Sequence, residues 1–345
     1  MKEFFFDQNV IAVTGKNGLG KTNLLDSIYY ACLGKSYFSS SDKMVVKKGE
    51  EFFRIEAIYE DVDGRRKVII KVQPSKLKEI ESEGFKLERL SDHIGEYPVV
   101  MIAPSDIQTL LEGSEERRTF LNNCIVQYDK KYLHHLQYYT KLLKQRNALL
   151  KDFAERNYFD HVLLSAITSK MVVPAHDIFE ARKRFIDDAL SDFLLSYNSI
   201  SSGSEEVNLL YKSELHNQDF LSLMDANVSK DKILHRTSSG VHKDDITFLI
   251  NGDHLESYAS QGQIKSFILA LKLAQFYSYS RVKGLKPILL LDDIFDKLDA
   301  CRVEQLLKLV IDEGFGQVFI TDTHVDRIPS ILKDIHPNFD LVSYT

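Results

Sequence analysis

The spacing of hydrophobic residues changes twice along the chain and thereby predicts three segments. In residues 1–104 and 235–345, short apolar runs alternate with stretches of helical periodicity, whereas helical periodicity dominates residues 105–234. The predicted strands are residues 10–13, 52–59, 67–72, 97–103, 246–250, 287–291 and 317–324. The predicted helices are residues 23–31, 115–121, 132–150, 176–198, 260–274 and 300–312.

Strands that alternate with helices favour an α/β fold with a largely parallel sheet. We therefore predict that residues 1–104 and 235–345 build this core and that residues 105–234 form a mainly helical lobe between them. Asp63 and Gly64 are a turn signal between two alternating runs, so we expect an antiparallel hairpin beside the strand at residues 10–13.

A glycine-rich stretch connects the first predicted strand to the first predicted helix. It matches the pattern G-x-x-x-x-G-K-[ST] of a phosphate loop, in which backbone N–H groups and the helix N-terminus face phosphate oxygens. In this pattern Lys21 reaches the β- and γ-phosphates and the Thr22 hydroxyl holds Mg²⁺. The predicted ATP-binding residues are Gly15, Lys16, Asn17, Gly18, Leu19, Gly20, Lys21 and Thr22.

Net charge, cysteine spacing and the length of the apolar runs limit which partners and which location are expected. The net charge of −6 does not indicate a nucleic-acid partner, and DNA binding would need a local basic surface. Cys32, Cys124 and Cys301 are far apart, which predicts neither a disulfide framework nor a metal site. The N-terminus lacks the apolar region of a signal peptide, and no run approaches the roughly 18 apolar residues of a membrane span. We expect a cytoplasmic protein without a membrane partner.

Two carboxylates follow the apolar residues 288–291. A buried parallel strand would bring Asp292 to the edge of the sheet where α/β proteins bind ligands, and there it would hold Mg²⁺ together with Thr22. Asp293 would orient or polarise the attacking water. An acidic junction between a strand and a loop is the alternative interpretation, and it is common in α/β proteins.

Three further stretches follow the order found in ATP-binding-cassette ATPases. Ser260, Gln261, Gly262 and Gln263 resemble the signature motif, which acts on the nucleotide held by the other subunit, although Ser260 can also be a plain helix N-cap. Residues 295–299 lie where the D-loop of those enzymes lies, with Asp299 as its best match. His324 lies where their switch histidine contacts the γ-phosphate.

The longer motifs together resemble the RecF family of bacterial DNA-repair ATPases, and they extend over almost the whole chain. The phosphate loop is shared by many families, whereas the arginine pair, Q-R-N-A-L-L-K and G-x-H-x-D-D before S-Q-G-Q are more specific in combination. The matching stretches are residues 15–26, 104–106, 113, 117–121, 145–151, 240–245, 260–263 and 291–293.

The resemblance implies a head domain like those of SMC proteins, with a P-loop NTPase core of the ATP-binding-cassette type, a helical second lobe and no long coiled coil. It implies ATP-driven homodimerisation, with each nucleotide between one phosphate loop and the Ser260 region of the other subunit. It also implies slow, DNA-stimulated ATP hydrolysis and binding to gapped DNA or single-strand/double-strand junctions. Together with RecR and RecO, such a protein helps to load RecA during gap repair, replication-fork maintenance and the SOS response to DNA damage.

The chain departs from the family pattern at three places. Relatives begin with a further strand and an N-F-(R/K)-N-type stretch, whereas only nine residues precede Val10 here. We expect either that the natural start lies upstream or that an edge strand and part of the adenine contact are missing. Ile264 and Lys265 follow the signature where relatives often have glutamine and a basic residue, and Asp296 replaces a common serine.

The sequence leaves the DNA-contacting residues open. Arg117 and Arg118 either contact DNA or form a structural ion pair with Glu115 or Asp106. Other basic candidates, each of which can equally be a solvated surface charge, are Lys35, Lys47, Lys48, Arg65, Arg66, Lys67, Lys141, Lys144 and Arg146. Two alternatives to a DNA-repair ATPase remain at this point: a transporter-type ATPase subunit and a nucleotide-binding remnant without efficient hydrolysis.

Overall fold

The structure, a computed structural model, describes residues 2–61, 64–74, 76, 78–201, 205–295, 300–312 and 314–344. The strands within these residues are β1 Val10–Gly15, β2 Phe53–Asp61, β3 Gly64–Val72, β4 Glu79–Ser82, β5 Phe85–Lys86, β6 Val99–Ile102, β7 Val207–Lys212, β8 Asp245–Ile250, β9 Asp253–His254, β10 Ile288–Leu291, β11 Val318–Asp322 and β12 Asp340–Tyr344.

The helices alternate with these strands at both ends of the chain and follow one another in its middle. They are α1 Lys21–Leu33, α2 Asp42–Val45, α3 Leu90–His93, α4 Pro104–Glu112, α5 Ser114–Val126, α6 Lys130–Glu155, α7 His161–Ser201, α8 Phe220–Ala226, α9 Val228–Leu234, α10 Leu255–Tyr258, α11 Gln261–Lys283, α12 Ala300–Asp312 and α13 Arg327–Ile335, with short 3₁₀ helices at Glu214–His216 and Val241–Lys243.

A five-stranded parallel sheet forms the core of the first part of the fold. Its strand order is β12-β1-β11-β10-β6. β1, β6 and β11 are buried throughout, as expected for parallel strands that are covered on both faces. The predicted α/β fold with a parallel sheet is thus confirmed. β12 pairs with β1. This edge strand is not among the predicted strands, because its five residues are half-buried or exposed and form no buried apolar run.

A second, antiparallel sheet has the order β2-β3-β4-β5. The predicted hairpin is present as β2 and β3, but its predicted position beside the strand at residues 10–13 is wrong, because β3 pairs with β4 instead. Helix α1 contacts both sheets, and its residues Leu25 and Tyr30 belong to one apolar cluster with Ile11 and Ile70. The apolar residues of β2 and β3 therefore pack on the helix and not in the parallel sheet.

The helical middle of the chain also contains a sheet. β7 pairs antiparallel with β8, and β8 pairs with β9, although the sequence predicted no strand in residues 105–234. Helix α7 has 41 residues and continues through Pro174, so the predicted helix at residues 176–198 is only its second half. β7 was not predicted, because its apolar pattern is short and lies between helical segments. Its partner strand, β8, also follows much later in the sequence.

The contacts of the backbone group the chain into two compact units. Unit 1 comprises Met1–Ile107, Ser196–Gly203 and Lys265–Thr345, and unit 2 comprises Gln108–Leu195 and Ser204–Ile264. Unit 1 holds the parallel sheet and unit 2 the sheet with β7 and β8. Residues 235–264 belong to unit 2, because β8 pairs with β7. The predicted boundary of the C-terminal part of the core at residue 235 therefore differs from the observed one.

One helix among the described residues, α7, is long and apolar enough by composition to cross a membrane. Core helices of other proteins pass the same test, and α7 also buries the charged side chain of Arg182. Arg182 donates to the Asp244 carboxylate and to the Val241 carbonyl, contacts that a helix surrounded by lipid would not offer. We therefore regard α7 as a core helix, of which the residues up to Leu195 belong to unit 2.

Candidate nucleotide-binding site

The glycine loop leaves β1 at its carboxyl end and leads directly into α1. Gly15 has a φ of +146°, and a Cβ atom at this position would lie 2.5 Å from the Tyr344 carbonyl oxygen of the neighbouring strand. Gly20 immediately precedes α1 with a φ of +103°. Any other residue would clash at the first position and strain the backbone at the second. The loop shape therefore requires glycine at both ends.

The N-terminus of α1 is open to an anion. Its N-cap is Gly20, which offers no side-chain hydrogen bond, and its first turn contains no acidic residue. The unpaired N–H groups and the positive end of the helix dipole are thus left for a ligand. Lys21 is buried and its ammonium donates to the carbonyl oxygens of Gly15 at 2.6 Å and Lys16 at 3.0 Å. The lysine folds back along the loop, where an incoming phosphate would offer it a charged acceptor.

Thr22 and Asp292 are brought together from opposite ends of the sequence. The Thr22 hydroxyl donates to both carboxylate oxygens of Asp292, at 2.9 and 3.1 Å. Thr321, at the end of β11, donates to the same carboxylate at 2.8 Å. β10 and β11 end at the same edge of the sheet as β1, which explains why these three side chains meet.

A hydroxyl and a carboxylate in contact suit Mg²⁺. This ion usually takes one or two protein oxygens and completes its shell with water and phosphate oxygens. Thr22 and Asp292 supply such a pair next to the phosphate loop, so these residues fit a magnesium nucleotide. No group of three or more His, Cys, Asp or Glu side chains suited to a metal occurs in the described ranges. Burial raises the pKa of Asp292, although hydrogen bonds from Thr321 and Thr22 oppose this effect.

Asp293 has an unusual backbone conformation directly after Asp292. Its φ is +46°, in the left-handed region that non-glycine residues seldom adopt and that aspartate tolerates better than most. Its N–H donates to the Thr321 hydroxyl at 2.8 Å. One threonine thus holds both acidic residues, the first by its carboxylate and the second by its backbone. Such strain in a site is a reason to look for function at Asp293.

His324 lies two residues beyond β11 and not in the strand itself. The predicted strand at residues 317–324 is too long, since the structure ends β11 at Asp322. Asp322 is fully buried and accepts two hydrogen bonds from the Arg327 guanidinium, at 2.6 and 2.7 Å, and one from the His324 N–H at 3.0 Å. This contact shapes the turn and leaves the His324 side chain exposed at the edge of the sheet.

The predicted signature stretch forms the start of α11. Ser260 and Gln263 build a capping box, in which the Ser260 N–H donates to the Gln263 side chain at 2.7 Å and the Gln263 N–H donates to the Ser260 hydroxyl at 3.3 Å. Gln263 also donates to Glu205 at 3.0 Å. Ser260 and Gln261 are exposed and Gly262 is half-buried. Ser260 is therefore the N-cap of α11, as the alternative interpretation predicted. Because Ser260 and Gln261 are exposed, this end of the helix can also contact a partner. The D-loop residues 296–299, with Asp299, lie outside the described residues.

Comparison with known proteins decides the family. A family model described as an AAA domain matches residues 2–313. The DNA replication and repair protein RecF of Flavobacterium johnsoniae is 44% identical over 98% of this chain and 94% of its own length. The RecF protein of Porphyromonas gingivalis is 40% identical over 97% of this chain and 92% of its own length. The chain belongs to the RecF family.

Solved structures agree with this family and with its fold. The structure of a RecF protein with ATP, a recombination mediator of the RecFOR pathway, superposes with a TM-score of 0.85 at 30% identity and covers 94% of this chain and 88% of the other. An Smc head bound to the winged-helix domain of ScpA superposes with a TM-score of 0.55 at 14% identity, over 94% of this chain and 85% of the other. The predicted SMC-head-like fold is confirmed.

The arginine pair and the G-x-H-x-D-D stretch, two of the motifs that are more specific to the RecF family, contact each other within unit 2. Arg117 donates to both carboxylate oxygens of Asp245, at 2.7 and 2.9 Å, and neither of its two predicted partners is correct. Arg118 donates to the Asp244 carbonyl at 2.7 Å. The Asp244 carboxylate accepts from Arg182 at 3.0 Å and from Tyr211. Asp106, the other predicted partner, pairs instead with Lys272 of α11 at 3.2 Å within unit 1.

Arg146 is not a DNA contact. It is fully buried, and its guanidinium donates to Asp231 at 2.6 Å and to the hydroxyls of Thr237 at 2.8 Å and Thr168 at 3.1 Å. Arg66 is only half-buried and lies 5.4 Å from the Tyr97 ring centroid. The other basic candidates have exposed or partly exposed side chains; they are Lys35, Lys47, Lys48, Arg65, Lys67, Lys141 and Lys144.

Several residues of the site gave no signal in the sequence. Thr321 contacts both Asp292 and Asp293. The one sequence feature that points to it is its place in the polar stretch T-D-T-H, directly after an apolar strand. Asp322 and Arg327 shape the turn before α13, and a spacing of five residues does not predict their contact. Tyr344 lies beside Gly15, a position that depends on β12 joining the sheet at β1.

Proposed function

We propose that this chain is an ATP-dependent DNA-binding protein of recombinational gap repair and replication-fork maintenance. The observation that carries the proposal is the contact between Thr22 and Asp292, 2.9 Å long, at the mouth of a phosphate loop in a chain of the RecF family. A solved RecF protein that is 30% identical to this chain contains ATP, which supports the same ligand here.

The loop residues hold the triphosphate. Backbone N–H groups of residues 15–22 and the first turn of α1 face the phosphate oxygens, and the Lys21 ammonium exchanges its carbonyl acceptors for the β- and γ-phosphates. Thr22 and Asp292 would hold Mg²⁺, which would supply positive charge against the phosphate oxygens. Thr321 keeps the Asp292 carboxylate oriented toward Thr22.

Hydrolysis requires a group that accepts a proton from water and a group that stabilises the γ-phosphate. Asp293 takes the first role and His324 the second. The signature residues Ser260, Gln261, Gly262 and Gln263, exposed or half-exposed at the start of α11, complete the site of the other subunit in an ATP-dependent homodimer. Asp299 acts in the same interface as the D-loop residue. We expect the ATPase to be weak and to be stimulated by DNA.

Binding to DNA then follows ATP binding. Exposed lysines in the loop after α2 and along α6 supply positive charge at the surface, although the net charge is −6. The DNA ligand that we propose is a gap or a single-strand/double-strand junction. RecR and RecO are the protein partners, through which the dimer helps to load RecA, and the cytoplasm is the site of action.

The test is the mass of the protein in solution without nucleotide, with ADP, and with ATP and Mg²⁺, each with and without gapped duplex DNA. We expect a dimer only with ATP, retained on gapped DNA. Lys21→Ala should stay monomeric under all conditions, because the loop loses the charge that pairs with the γ-phosphate. Lys170→Ala, a change of the same type at an exposed residue of α7 outside the nucleotide site, should dimerise normally.

Two results would contradict the proposal in different ways. A monomer that binds ATP would indicate a nucleotide-binding remnant without the dimer mechanism. An ATP-dependent dimer with equal affinity for gapped and intact duplex DNA would agree with the proposed ATPase but contradict the proposed specificity for DNA junctions.

A further inference from the structure

Tyr344 occupies a position that none of the phosphate-loop residues explains. It is the last residue of β12 and pairs in register with Gly15, the first residue of the loop. A Cβ atom on Gly20 would lie 3.9 Å from Cε1 of the Tyr344 ring. The ring therefore extends alongside the loop from its first glycine to its last.

The loop has two distinguishable sides. In the strand order β12-β1-β11-β10, Asp292 follows β10 on one side of β1, and Tyr344 ends β12 on the other. Thr22 and Asp292 would hold the Mg²⁺ that accompanies the terminal phosphates, so the triphosphate end of the nucleotide would lie on the β10 side of the loop. The base is the opposite end of the molecule, so it extends toward the side of the loop where Tyr344 lies.

The Tyr344 ring is half-buried, and a side chain from the surface lies over it. The exposed side chain of Lys2 places its ammonium 5.1 Å from the ring centroid, so the group that covers this face is one that can move into solvent. The Phe4 ring stacks beside it at a centroid distance of 6.4 Å, and Phe6 continues the row at 6.2 Å from Phe4. This row of aromatic rings holds Tyr344 in place and makes its flat face a platform.

We propose that Tyr344 is the residue on which the nucleotide base stacks. The inference rests on the proposed ATP binding. It adds a side chain that favours ligands with a base over ligands without one, namely the aromatic ring at the end of β12. Base stacking on an aromatic ring tolerates different bases, because every base has a π-face. Tyr344 thus strengthens the binding of nucleoside triphosphates over bare polyphosphate, and the Lys2 ammonium leaves the ring face when the base arrives.

The experiment compares the binding of ATP and inorganic tripolyphosphate, each with Mg²⁺, to the full chain and to Tyr344→Leu, Tyr344→Phe and Tyr158→Leu. We expect Tyr344→Leu to bind ATP about tenfold more weakly and to bind tripolyphosphate as the unchanged chain does. Tyr344→Phe keeps the ring and should keep the affinity. Tyr158→Leu is the matched control, since Tyr158 is 62% exposed and lies in unit 2.

A second measurement uses the absence of tryptophan from the sequence. Tyr344→Trp supplies a single fluorophore, whose emission should be quenched by ATP and not by tripolyphosphate. Unchanged ATP affinity in Tyr344→Leu would overturn the inference. An equal loss of ATP and tripolyphosphate binding would overturn it too, because the ring would then only shape the loop. If the unchanged chain binds neither ligand, the proposed function itself fails.

Discussion

The Thr22 hydroxyl lies 2.9 Å from Oδ2 of Asp292, and the two residues are 270 positions apart in the sequence. Because burial raises the pKa of Asp292, this carboxylate takes up a proton at a higher pH than an ordinary aspartate does. Protonation removes the charge that would attract Mg²⁺. The affinity for magnesium ATP should therefore fall as the pH decreases, and it should fall before ordinary aspartates titrate at about pH 4.

This prediction is checked by measuring ATP affinity between about pH 8 and about pH 4.5, with Mg²⁺ and with a chelator. ATP itself titrates in this range, so Asp292→Asn provides the baseline. We expect Asp292→Asn to bind magnesium ATP weakly, with only the pH dependence of the ligand. Identical pH profiles for Asp292→Asn and the unchanged chain would argue against a role of Asp292 in metal binding.

Asp293→Asn should permit ATP binding and block hydrolysis. Asparagine tolerates the left-handed backbone that Asp293 adopts at a φ of +46°, so the turn is preserved, but the amide cannot accept a proton from water. We expect turnover to fall about a hundredfold or more and the ATP-dependent dimer to persist. Phosphate release and solution mass measure the two effects. Asp326→Asn, at an exposed residue of the same sheet edge, is the control. Normal turnover by Asp293→Asn would remove Asp293 from catalysis.

Arg146→Met should destabilise the protein by about 3–5 kcal/mol, because it leaves the buried Asp231 carboxylate without its cationic partner. Chemical unfolding in urea measures this loss. Lys141→Met, at an exposed position of the same helix, should change the free energy of unfolding by less than about 0.5 kcal/mol. The double variant Arg146→Met/Asp231→Leu removes both charges and should recover part of the loss. A mild effect of Arg146→Met would show that water reaches Asp231.

His242 should make stability depend on pH. Burial lowers the pKa of His242 to about 4, whereas an unfolded histidine titrates near pH 6.5. Between these values the unfolded chain binds more protons than the folded one, so the free energy of unfolding should decrease as the pH falls from about 6.5 to about 4. Below that range both states are protonated, and the loss from this residue is complete.

Urea unfolding at several pH values tests the role of His242. His242→Gln should flatten this part of the profile, at the cost of a contact with the Tyr139 hydroxyl, which lies 2.9 Å from Nδ1. His134→Gln, at an exposed position of α6, should leave the slope unchanged. A slope that survives in His242→Gln would assign the pH dependence to other groups.

The elements that local patterns define were predicted from the sequence. β1, the glycine loop and α1 follow one another as the motif requires, and α12 covers residues 300–312 as its periodicity indicates. The correct partners of Arg117 and Arg146 were not predicted, because Asp245 and Asp231 lie 128 and 85 positions away and periodicity carries no information on such contacts. For the same reason the β2–β3 hairpin was assigned to the wrong sheet. The exact roles of Asp293 and His324 stay predictions.

The position of β1 in its sheet also constrains the order in which the protein acquires its site. β1 is made early, yet both of its hydrogen-bonded neighbours, β11 and β12, come from residues 318–344. During synthesis the phosphate-loop strand therefore emerges from the ribosome long before either neighbour exists. Such distant pairings form slowly and leave strand edges exposed in the meantime. A chain that stops short of these residues has a complete phosphate-loop sequence and no sheet in which to hold it.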